Sequence, residues 1–131
     1  MTVFVDTSAI YALLDRSDEN HEVAAAAFSR LGDHELLATH DYVVVESVAL
    51  VQRRLGTAAA RTLFDDLLAP FDLIWIDERI HQAAAASMIA SGKDGISFVD
   101  WTSFVVMREH GIDQALAFDE DFARQGFQLV A

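Results

Sequence analysis

The stretch Val3-Phe4-Val5-Asp6-Thr7-Ser8 joins a short apolar run, an acid and two hydroxyl residues. The apolar run is typical of a buried β-strand, and Thr7 or Ser8 is suited to capping a helix that follows it directly. A strand that leads into a helix in this way favours an α/β fold with a parallel sheet. Asp6 would then lie at the carboxyl end of a strand, which is the edge where open α/β sheets bind ligands.

The rest of the chain repeats this alternation of short and long apolar segments. Further strands are predicted at Leu36–Thr39, Phe71–Ile76, Gln114–Phe118 and Gln128–Val130. Further helices are predicted from Ser17 or Asp18 to Gly32, over Asp41–Leu55 and Thr57–Ala69, from an Asp77 cap to Ser91, from a Ser97 cap to His110, and as one turn over Glu120–Arg124. We expect a single domain over residues 1–131, built as a three-layer α/β/α sandwich around a mainly parallel, twisted sheet of four or five strands.

Composition limits the class of protein. A chain of 131 residues has the size of one ordinary domain, and its 53% hydrophobic content predicts more apolar surface than one core hides. A homodimer or another tight partner is therefore expected. Since no apolar run reaches the roughly 18 residues of a membrane span and no signal peptide is recognisable, we expect a cytoplasmic protein without membrane contact. The absence of cysteine excludes disulfides, thiolate catalysis and zinc–sulfur sites.

The formal net charge of −12 argues against a nucleic-acid partner, because binding to phosphates normally comes from Lys and Arg. That objection weakens if metal ions offset part of the charge and if the few arginines lie close to the site, since the local field steers a ligand. Composition alone therefore leaves a polyanionic substrate open.

Four acids interrupt or end apolar segments. Asp6 and Asp119 end predicted strands, whereas Glu46 and Asp100 lie within apolar helical stretches. Two carboxylates about 4 Å apart repel by roughly 4 kcal/mol at an effective dielectric constant near 20. If all four converge, a divalent cation with oxygen ligands would relieve that repulsion. Each acid also has a structural alternative, as a turn residue, a helix cap or a solvated helix position.

Together the motifs resemble those of the PIN-domain nucleases, particularly the VapC-type toxins. The resemblance is carried by Val3–Ser8, by Glu46 in the third helix, by Ser97-Phe98-Val99-Asp100 and by Ala117-Phe118-Asp119-Glu120-Asp121-Phe122. It implies an endoribonuclease that depends on Mg²⁺ or Mn²⁺ and acts as the toxin of a type II toxin–antitoxin pair. It also implies a small cognate antitoxin whose basic, hydrophobic tail binds the acidic cleft.

The resemblance assigns the catalytic and metal-binding roles to Asp6, Glu46, Asp100 and Asp119. Asp6 and Asp100 are expected to bind the principal ion most directly, with Glu46 and Asp119 completing the site. Supporting roles are expected for Thr7 and Ser8, beside Asp6, and for Asp121 as a reserve ligand. Arg53, Arg54 and Lys93 are candidate RNA contacts, with a solvated charged surface as the alternative.

Other residues are assigned by pattern. The five histidines, at positions 21, 34, 40, 81 and 110, have no paired metal-ligand spacing and are predicted to lie on the surface or in loops. Trp75 is predicted to lie in the core, and Trp101 to face the cleft or an interface.

Three alternative functions remain open at this level. The chain could be a housekeeping PIN-type ribonuclease, or a PIN-fold interaction protein without catalysis. Asp6 could also be a phospho-accepting nucleophile, although Ser8 stands where such phosphatases usually carry a second acid.

Overall fold

The computed structural model describes all residues from 1 to 131 and contains one five-stranded parallel sheet. The strands are β1 (Thr2–Val5), β2 (Leu36–His40), β3 (Asp72–Ile74), β4 (Gln114–Leu116) and β5 (Gln128–Leu129), in the spatial order β3-β2-β1-β4-β5. In register, Phe4 lies opposite Ala38 on one side and Ala115 on the other. Every strand pair is parallel, so all five carboxyl ends lie at the same edge of the sheet.

Seven helices connect and flank these strands, which confirms the predicted α/β fold. They are α1 (Thr7–Leu14), α2 (His21–Gly32), α3 (Asp41–Leu55), α4 (Thr57–Thr62), α5 (Glu78–Ser91), α6 (Phe98–Glu109) and α7 (Asp121–Arg124). A π-helical turn over Leu63–Leu67 continues α4. None of these helices is both long and apolar enough to span a membrane.

The central strand is the middle of the core. Val3, Phe4 and Val5 are completely buried, as expected for a parallel strand covered on both faces. The Phe4 ring stacks on Phe122, with ring centroids 6.2 Å apart, and Phe104 packs edge-on against Phe122 at 5.0 Å. This packing joins β1, α6 and α7 and fixes the two strand ends that carry Asp6 and Asp119.

Helix α2 begins later than the sequence predicts. Its cap residue is Asn20, whereas Ser17 and Asp18 lie in turns before it. The Asp15 carboxylate accepts hydrogen bonds from the Ser17 amide and hydroxyl, and the Asp18 carboxylate accepts one from the Asn20 amide at 2.8 Å. These side-chain bonds stabilise turns that compete with a helix start, so the prediction of a cap at Ser17 or Asp18 is wrong.

His40 is completely buried, which overturns its predicted place on the surface. It caps α3, where its Nδ1 accepts a hydrogen bond from the Val43 amide at 3.3 Å. Because Nδ1 accepts, the ring proton lies on Nε2, which donates to the Ser103 hydroxyl at 2.9 Å. Ser103 in turn donates to the Val99 carbonyl at 3.0 Å, so a continuous chain of hydrogen bonds joins α3 to α6. Burial lowers the pKa of His40 to about 3, which keeps the ring neutral.

The two tryptophans also differ from each other. Trp75 is 70% exposed just after the edge strand β3, so its predicted place in the core is wrong. An apolar residue near an edge strand has one side open to solvent, and the strand pattern alone does not reveal which strand is at the edge. Trp101 is buried, packs edge-on against Phe104 and does not line the cleft, so the first of the two environments predicted for it is wrong.

Candidate functional site

A cleft of about 500 Å³ lies at the carboxyl edge of the sheet, and four of its eight polar lining residues are acids. The cleft is lined by Asp6, Thr7, Ser8, Glu46, Ala49, Leu50, Arg53, Ser97, Asp100 and Asp119. The structure therefore brings together all four acids of the predicted quartet, which are separated by up to 113 positions in the chain. Two of them follow strands and two are carried by α3 and α6.

Asp6 is held at the junction between β1 and α1. Its Oδ2 accepts hydrogen bonds from the Ser8 amide at 3.3 Å and the Ser8 hydroxyl at 2.8 Å. Asp6 is therefore the cap of α1, and the prediction that Thr7 or Ser8 caps this helix is off by one or two residues. The other carboxylate oxygen, Oδ1, is buried and has no hydrogen-bond partner.

Ser8 and Thr7 tie the elements of the site together. The Ser8 hydroxyl donates to Asp6 and accepts from the Phe118 amide at 3.0 Å, which joins the ends of β1 and β4. The buried Thr7 hydroxyl accepts a hydrogen bond from Ser47 at 3.3 Å, beside Glu46 on α3. Both residues therefore position acids of the cleft through bonds that cross between elements.

Asp100 and Asp119 lie next to each other in the lining of the cleft. The Ser97 hydroxyl accepts a hydrogen bond from the Asp100 amide at 3.1 Å, so Asp100 lies in the first turn of α6 as predicted. Carboxylate oxygens of Asp100, Asp119 and Asp121 lie within 4.8 Å of one another. Asp121, the predicted reserve ligand, therefore lies beside the quartet and also forms an ion pair with Arg124 at 2.9 Å.

Two of the acids, Asp6 and Asp100, have a raised pKa. Burial is the main reason that the pKa of Asp6 rises to about 6, with a further contribution from the charge of Glu46. Burial also raises the pKa of Asp100 to about 7, and the neighbouring carboxylates of Asp6, Asp119 and Glu46 add to that rise. Without a counter-charge, these two carboxyl groups therefore take up protons between about pH 7 and pH 6, well above the usual range of an aspartate.

The residues of the cleft fit a hard divalent cation. Mg²⁺ and Mn²⁺ prefer carboxylate and water oxygens, and the cleft presents carboxylates without histidine or cysteine. The unpartnered Oδ1 of Asp6 is the sharpest sign of this fit, because a buried carboxylate oxygen without a partner is costly. A cation at the acids would offset both the missing hydrogen bond and the mutual repulsion.

The three predicted RNA contacts separate into different environments. Arg53 lines the cleft, seven residues after Glu46 on the same face of α3. Arg54 points elsewhere, with its guanidinium 5.4 Å from the centre of the Tyr11 ring. Lys93 lines a neighbouring hollow that also contains Asp121 and Arg124.

Two lining residues, Ala49 and Leu50, were not singled out from the sequence. They lie three and four positions after Glu46, whereas Ser97, which was predicted as a helix cap, also lines the cleft. The helical spacing of 46, 49, 50 and 53 would have identified the α3 side of the cleft. Arg124 gave no comparable signal, because only the fold places it beside Lys93.

Comparison with known proteins shows the family. The sequence pattern of the PIN domain family matches residues 3–128. The chain belongs to the PIN-domain family. Along 129 residues this PIN domain is 33% identical to the 23S rRNA-specific endonuclease VapC20 of Mycobacterium tuberculosis, which covers 98% of this chain and 97% of the relative. The predicted resemblance to VapC-type nucleases is thereby confirmed.

Solved structures give the same result for the fold. The crystal structure of Mycobacterium tuberculosis VapC20, described as a sarcin–ricin loop cleaving toxin, superposes with a TM-score of 0.84 over 95% of each chain at 33% identity. VapBC2 from Rickettsia felis, bound to a promoter DNA fragment, gives a TM-score of 0.75 at 12% identity over 99% of this chain and 98% of that one. FitAcB from Neisseria gonorrhoeae gives 0.71 at 18% identity over 100% and 97%. The last two likenesses concern the fold alone.

Proposed function

We propose that this PIN domain is a divalent-metal-dependent endoribonuclease that hydrolyses RNA phosphodiester bonds as the toxin of a type II toxin–antitoxin pair. The observation that carries the proposal is the convergence of four carboxylates on one cleft around a buried carboxylate oxygen without a partner. The relationship to VapC20, a 23S rRNA-specific endonuclease, supports the reaction class.

In this proposal Asp6 and Asp100 hold Mg²⁺ or Mn²⁺ most directly, while Glu46 and Asp119 complete the site and Asp121 stands in reserve. When bound, such a cation lowers the pKa of a coordinated water and stabilises negative charge on phosphate and leaving oxygens. The acidic quartet fits that role because carboxylates supply both ligand oxygens and counter-charge.

The other roles in the reaction belong to side chains of the protein, which position the acids, accept a proton and bind a phosphate. Ser8 and Thr7 hold Asp6 in place, and Glu46 or Asp119 accepts a proton from the attacking water. Arg53 contacts a phosphate oxygen of the substrate from the α3 side of the cleft. Its charge attracts the RNA locally, although the chain as a whole carries a formal net charge of −12.

The first RNA to test is the sarcin–ricin loop of ribosomal RNA. VapC20 is described as cleaving that loop, and its identity with this chain extends over nearly the full length of both proteins. A housekeeping role would differ in its consequence for the cell, so induced expression that leaves growth unchanged while RNA is cleaved would favour it over the toxin.

The proposed partner is a small antitoxin with a basic, hydrophobic tail. An acidic cleft attracts Arg and Lys side chains, and complementary charge makes such binding fast as well as specific. Occupation of the cleft by a basic side chain would displace the cation and the RNA together. Co-expression with the neighbouring reading frame, followed by cleavage assays on the purified complex, tests this part of the proposal.

We also propose that the chain forms a homodimer. Val45, Phe64 and Trp75 are exposed by 68%, 52% and 70%. They border one apolar hollow of about 440 Å³ between α3, the π-helical turn and the end of β3. Apolar patches of this kind commonly mark interfaces. Analytical ultracentrifugation of Trp75→Ser is expected to give a monomer, and an unchanged dimer would place the interface elsewhere.

The deciding experiment is cleavage of a synthetic sarcin–ricin stem–loop RNA and of total ribosomal RNA, with Mg²⁺ or Mn²⁺ and with EDTA. Wild type is expected to cleave only with the metal, and Asp100→Asn is expected to lose the activity. Asp33→Asn, which neutralises an exposed acid outside the cleft, is the matched control.

A non-catalytic interaction protein predicts a different pattern. It would cleave neither RNA with either metal, and Mn²⁺ would not raise its melting temperature. An occupied site stabilises the folded state by mass action, by about 2.7 kcal/mol at a metal concentration one hundred times the Kd. A stabilisation by Mn²⁺ that persists in Asp100→Asn would contradict the site assignment.

A further inference from the structure

Most of the positively charged side chains of this acidic chain form an ion pair, a hydrogen bond or a cation–π contact with a neighbouring residue. The chain has nine Lys and Arg residues against 21 Asp and Glu residues. Most of the nine are held: Arg30 by the Val130 carbonyl, Arg54 over Tyr11, Arg61 by Asp65, Arg79 by Glu109, Arg108 by Gln125, and Arg124 by Asp121. The other three, Arg16, Arg53 and Lys93, form no ion pair, side-chain hydrogen bond or aromatic contact.

Two of these three unpaired cations border the acids. Arg53 lines the cleft itself, and Lys93, the only lysine of the chain, lines the neighbouring hollow of about 460 Å³. In a protein with such an excess of acids, an unpaired cation beside a cluster of carboxylates is unexpected on structural grounds. A negatively charged ligand that passes through the site would account for both positions.

The hollow that contains Lys93 adjoins the cleft at two points. Ile96 lines the hollow and Ser97, the next residue, lines the cleft. Asp121 also lines the hollow, and its carboxylate lies within 4.8 Å of those of Asp100 and Asp119. The hollow, which is formed by residues 93–96, including Asp94, with Asp121, Arg124 and Gln125, therefore adjoins the acids on the side of Asp100 and Asp119, whereas Arg53 lines the cleft from α3.

We propose that the Lys93 hollow is a phosphate-binding subsite for the RNA strand on one side of the scissile bond, with Arg53 binding a phosphate on the other side. This proposal rests on the proposed ribonuclease function and gives the strand a path across the acids. Lys93 supplies an exposed, strongly hydrated point charge on a flexible stem, which suits a phosphate oxygen. The charge of Arg124 is offset by its ion pair with Asp121, so Lys93 is the cation of the hollow that would bind the phosphate.

The subsite would position the strand without reading its sequence, because phosphate contacts carry no base information. It also answers the objection raised by the net charge. The local field along Arg53, the metal-loaded acids and Lys93 would attract RNA, while the remaining acids repel it elsewhere.

The experiment measures how the affinity for RNA depends on salt. A labelled sarcin–ricin stem–loop RNA is titrated with the Asp100→Asn protein at a constant Mg²⁺ concentration and several KCl concentrations. Each lost phosphate contact is expected to reduce the slope of log Kd against log[KCl] by about 0.7 to 0.9. Lys93→Ala and Arg53→Ala are each expected to give that reduction, and their combination about twice as much.

Matched controls separate a local contact from total charge. Arg16→Ala removes the third unpaired cation, which lines neither the cleft nor the hollow, and is expected to leave the slope unchanged. Lys93→Arg is expected to retain the slope of the parent. In the active protein, Lys93→Ala is expected to raise KM while kcat stays the same, because a phosphate contact binds ground state and transition state alike.

The outcomes distinguish this inference from the proposed function. Equal slopes for Lys93→Ala and Arg16→Ala, together with RNA cleavage by wild type, would overturn the subsite and leave the ribonuclease intact. A wild type that cleaves no RNA, while Lys93→Ala still reduces the slope, would reject the nuclease function but support the binding path.

Discussion

Two completely or almost completely buried polar side chains, His40 and Asp6, stand in very different surroundings. Both ring nitrogens of His40 have hydrogen-bond partners, so the group is fully satisfied inside the protein. Asp6 has partners on one carboxylate oxygen only, and its second oxygen is buried without any. Buried polar groups in folded proteins are almost always paired. The unpaired oxygen of Asp6, unlike the similarly unpaired Trp101 Nε1, lies among other carboxylates, which supports the proposed cation there.

The pKa values of the two regions make the same distinction. Burial alone lowers the pKa of His40, and no charged neighbour contributes to that shift. At Asp6 and Asp100, burial raises the pKa and neighbouring carboxylates raise it further. The surroundings of His40 therefore favour stability of the fold. The carboxylates around Asp6 and Asp100, in contrast, repel one another, and a cation would relieve that repulsion.

The largest expected effect comes from Asp100→Asn, which breaks the acidic region. Loss of a metal ligand is expected to remove several kcal/mol of transition-state stabilisation, and about 4 kcal/mol corresponds to roughly a thousandfold lower kcat/KM. The same substitution removes a repelling charge, so the metal-free variant is expected to unfold at a higher urea concentration than metal-free wild type. A variant that loses both activity and stability would indicate a structural role for Asp100.

The next effect comes from His40→Ala, which breaks the satisfied region. This substitution leaves the Val43 amide without its partner, removes one of the two hydrogen bonds of the Ser103 hydroxyl and creates a cavity, at an expected cost of about 3 kcal/mol in the free energy of unfolding. Urea denaturation measures that cost. His40→Asn keeps an acceptor for the Val43 amide and is expected to lose less, so an equal loss for both variants would contradict the capping role.

A third prediction concerns the metal-free protein at lower pH. Acidification is expected to lower the stability that comes from His40 and to raise the stability of the acidic region. The pKa of His40 is about 3 in the folded state against 6.5 as its ordinary value, so the unfolded state binds more protons below pH 6.5. The stability contributed by this group therefore decreases as the pH is lowered, by about 2 kcal/mol at pH 5. Asp6 and Asp100 have raised values of about 6 and 7, so their repulsion is relieved as the pH falls from 7 towards 4.

The variant Asp6→Asn/Asp100→Asn separates these contributions. It leaves His40 as the main titrating group, so its stability is expected to fall between pH 7 and pH 5, while that of metal-free wild type stays level or rises. Urea denaturation at several pH values measures both curves. Parallel curves for the two proteins would show that the acids do not repel one another in the folded state.

The sequence predicts the elements well where a local signal fixes their ends. Helix α3 runs from Asp41 to Leu55 as predicted, because Gly56 adopts a positive φ of 97° that ends it. The caps at Asp77 and Ser97 are likewise confirmed. The last three strands were predicted too long and the first two one residue too short, since only pairing with a neighbour decides where a strand stops.

The residues of the site also separate into those that a local pattern predicted and those that it did not. The position of Asp6 and Asp119 after strands followed from the edge rule of parallel sheets, but the places of Glu46 and Asp100 in the quartet came from the family resemblance. The burial of His40 depends on the packing of α3 against α6, which no local pattern encodes. Arg53 and Arg54 are also consecutive in the chain, and only the orientation of α3 decides that the first of them lines the cleft.

The smallest expected effect concerns Ser8, whose hydroxyl supplies one of the few hydrogen bonds to the Asp6 carboxylate. Its hydroxyl donates to Asp6 and accepts from the Phe118 amide, so Ser8→Ala is expected to cost about 1 kcal/mol in the free energy of unfolding. The Asp6 carboxylate also loses a bond that favours its charged form, which is expected to weaken Mn²⁺ binding about tenfold.

Ser8→Thr is the matched control, because it keeps the hydroxyl. The Kd for Mn²⁺, measured by thermal shift at several metal concentrations, separates the two roles of Ser8. A variant that is less stable but binds Mn²⁺ as tightly as wild type would make Ser8 a link between β1 and β4 only. Weaker binding that Ser8→Thr restores would show that the hydroxyl positions Asp6 for the cation, and that this acidic region is only partly satisfied until the cation binds.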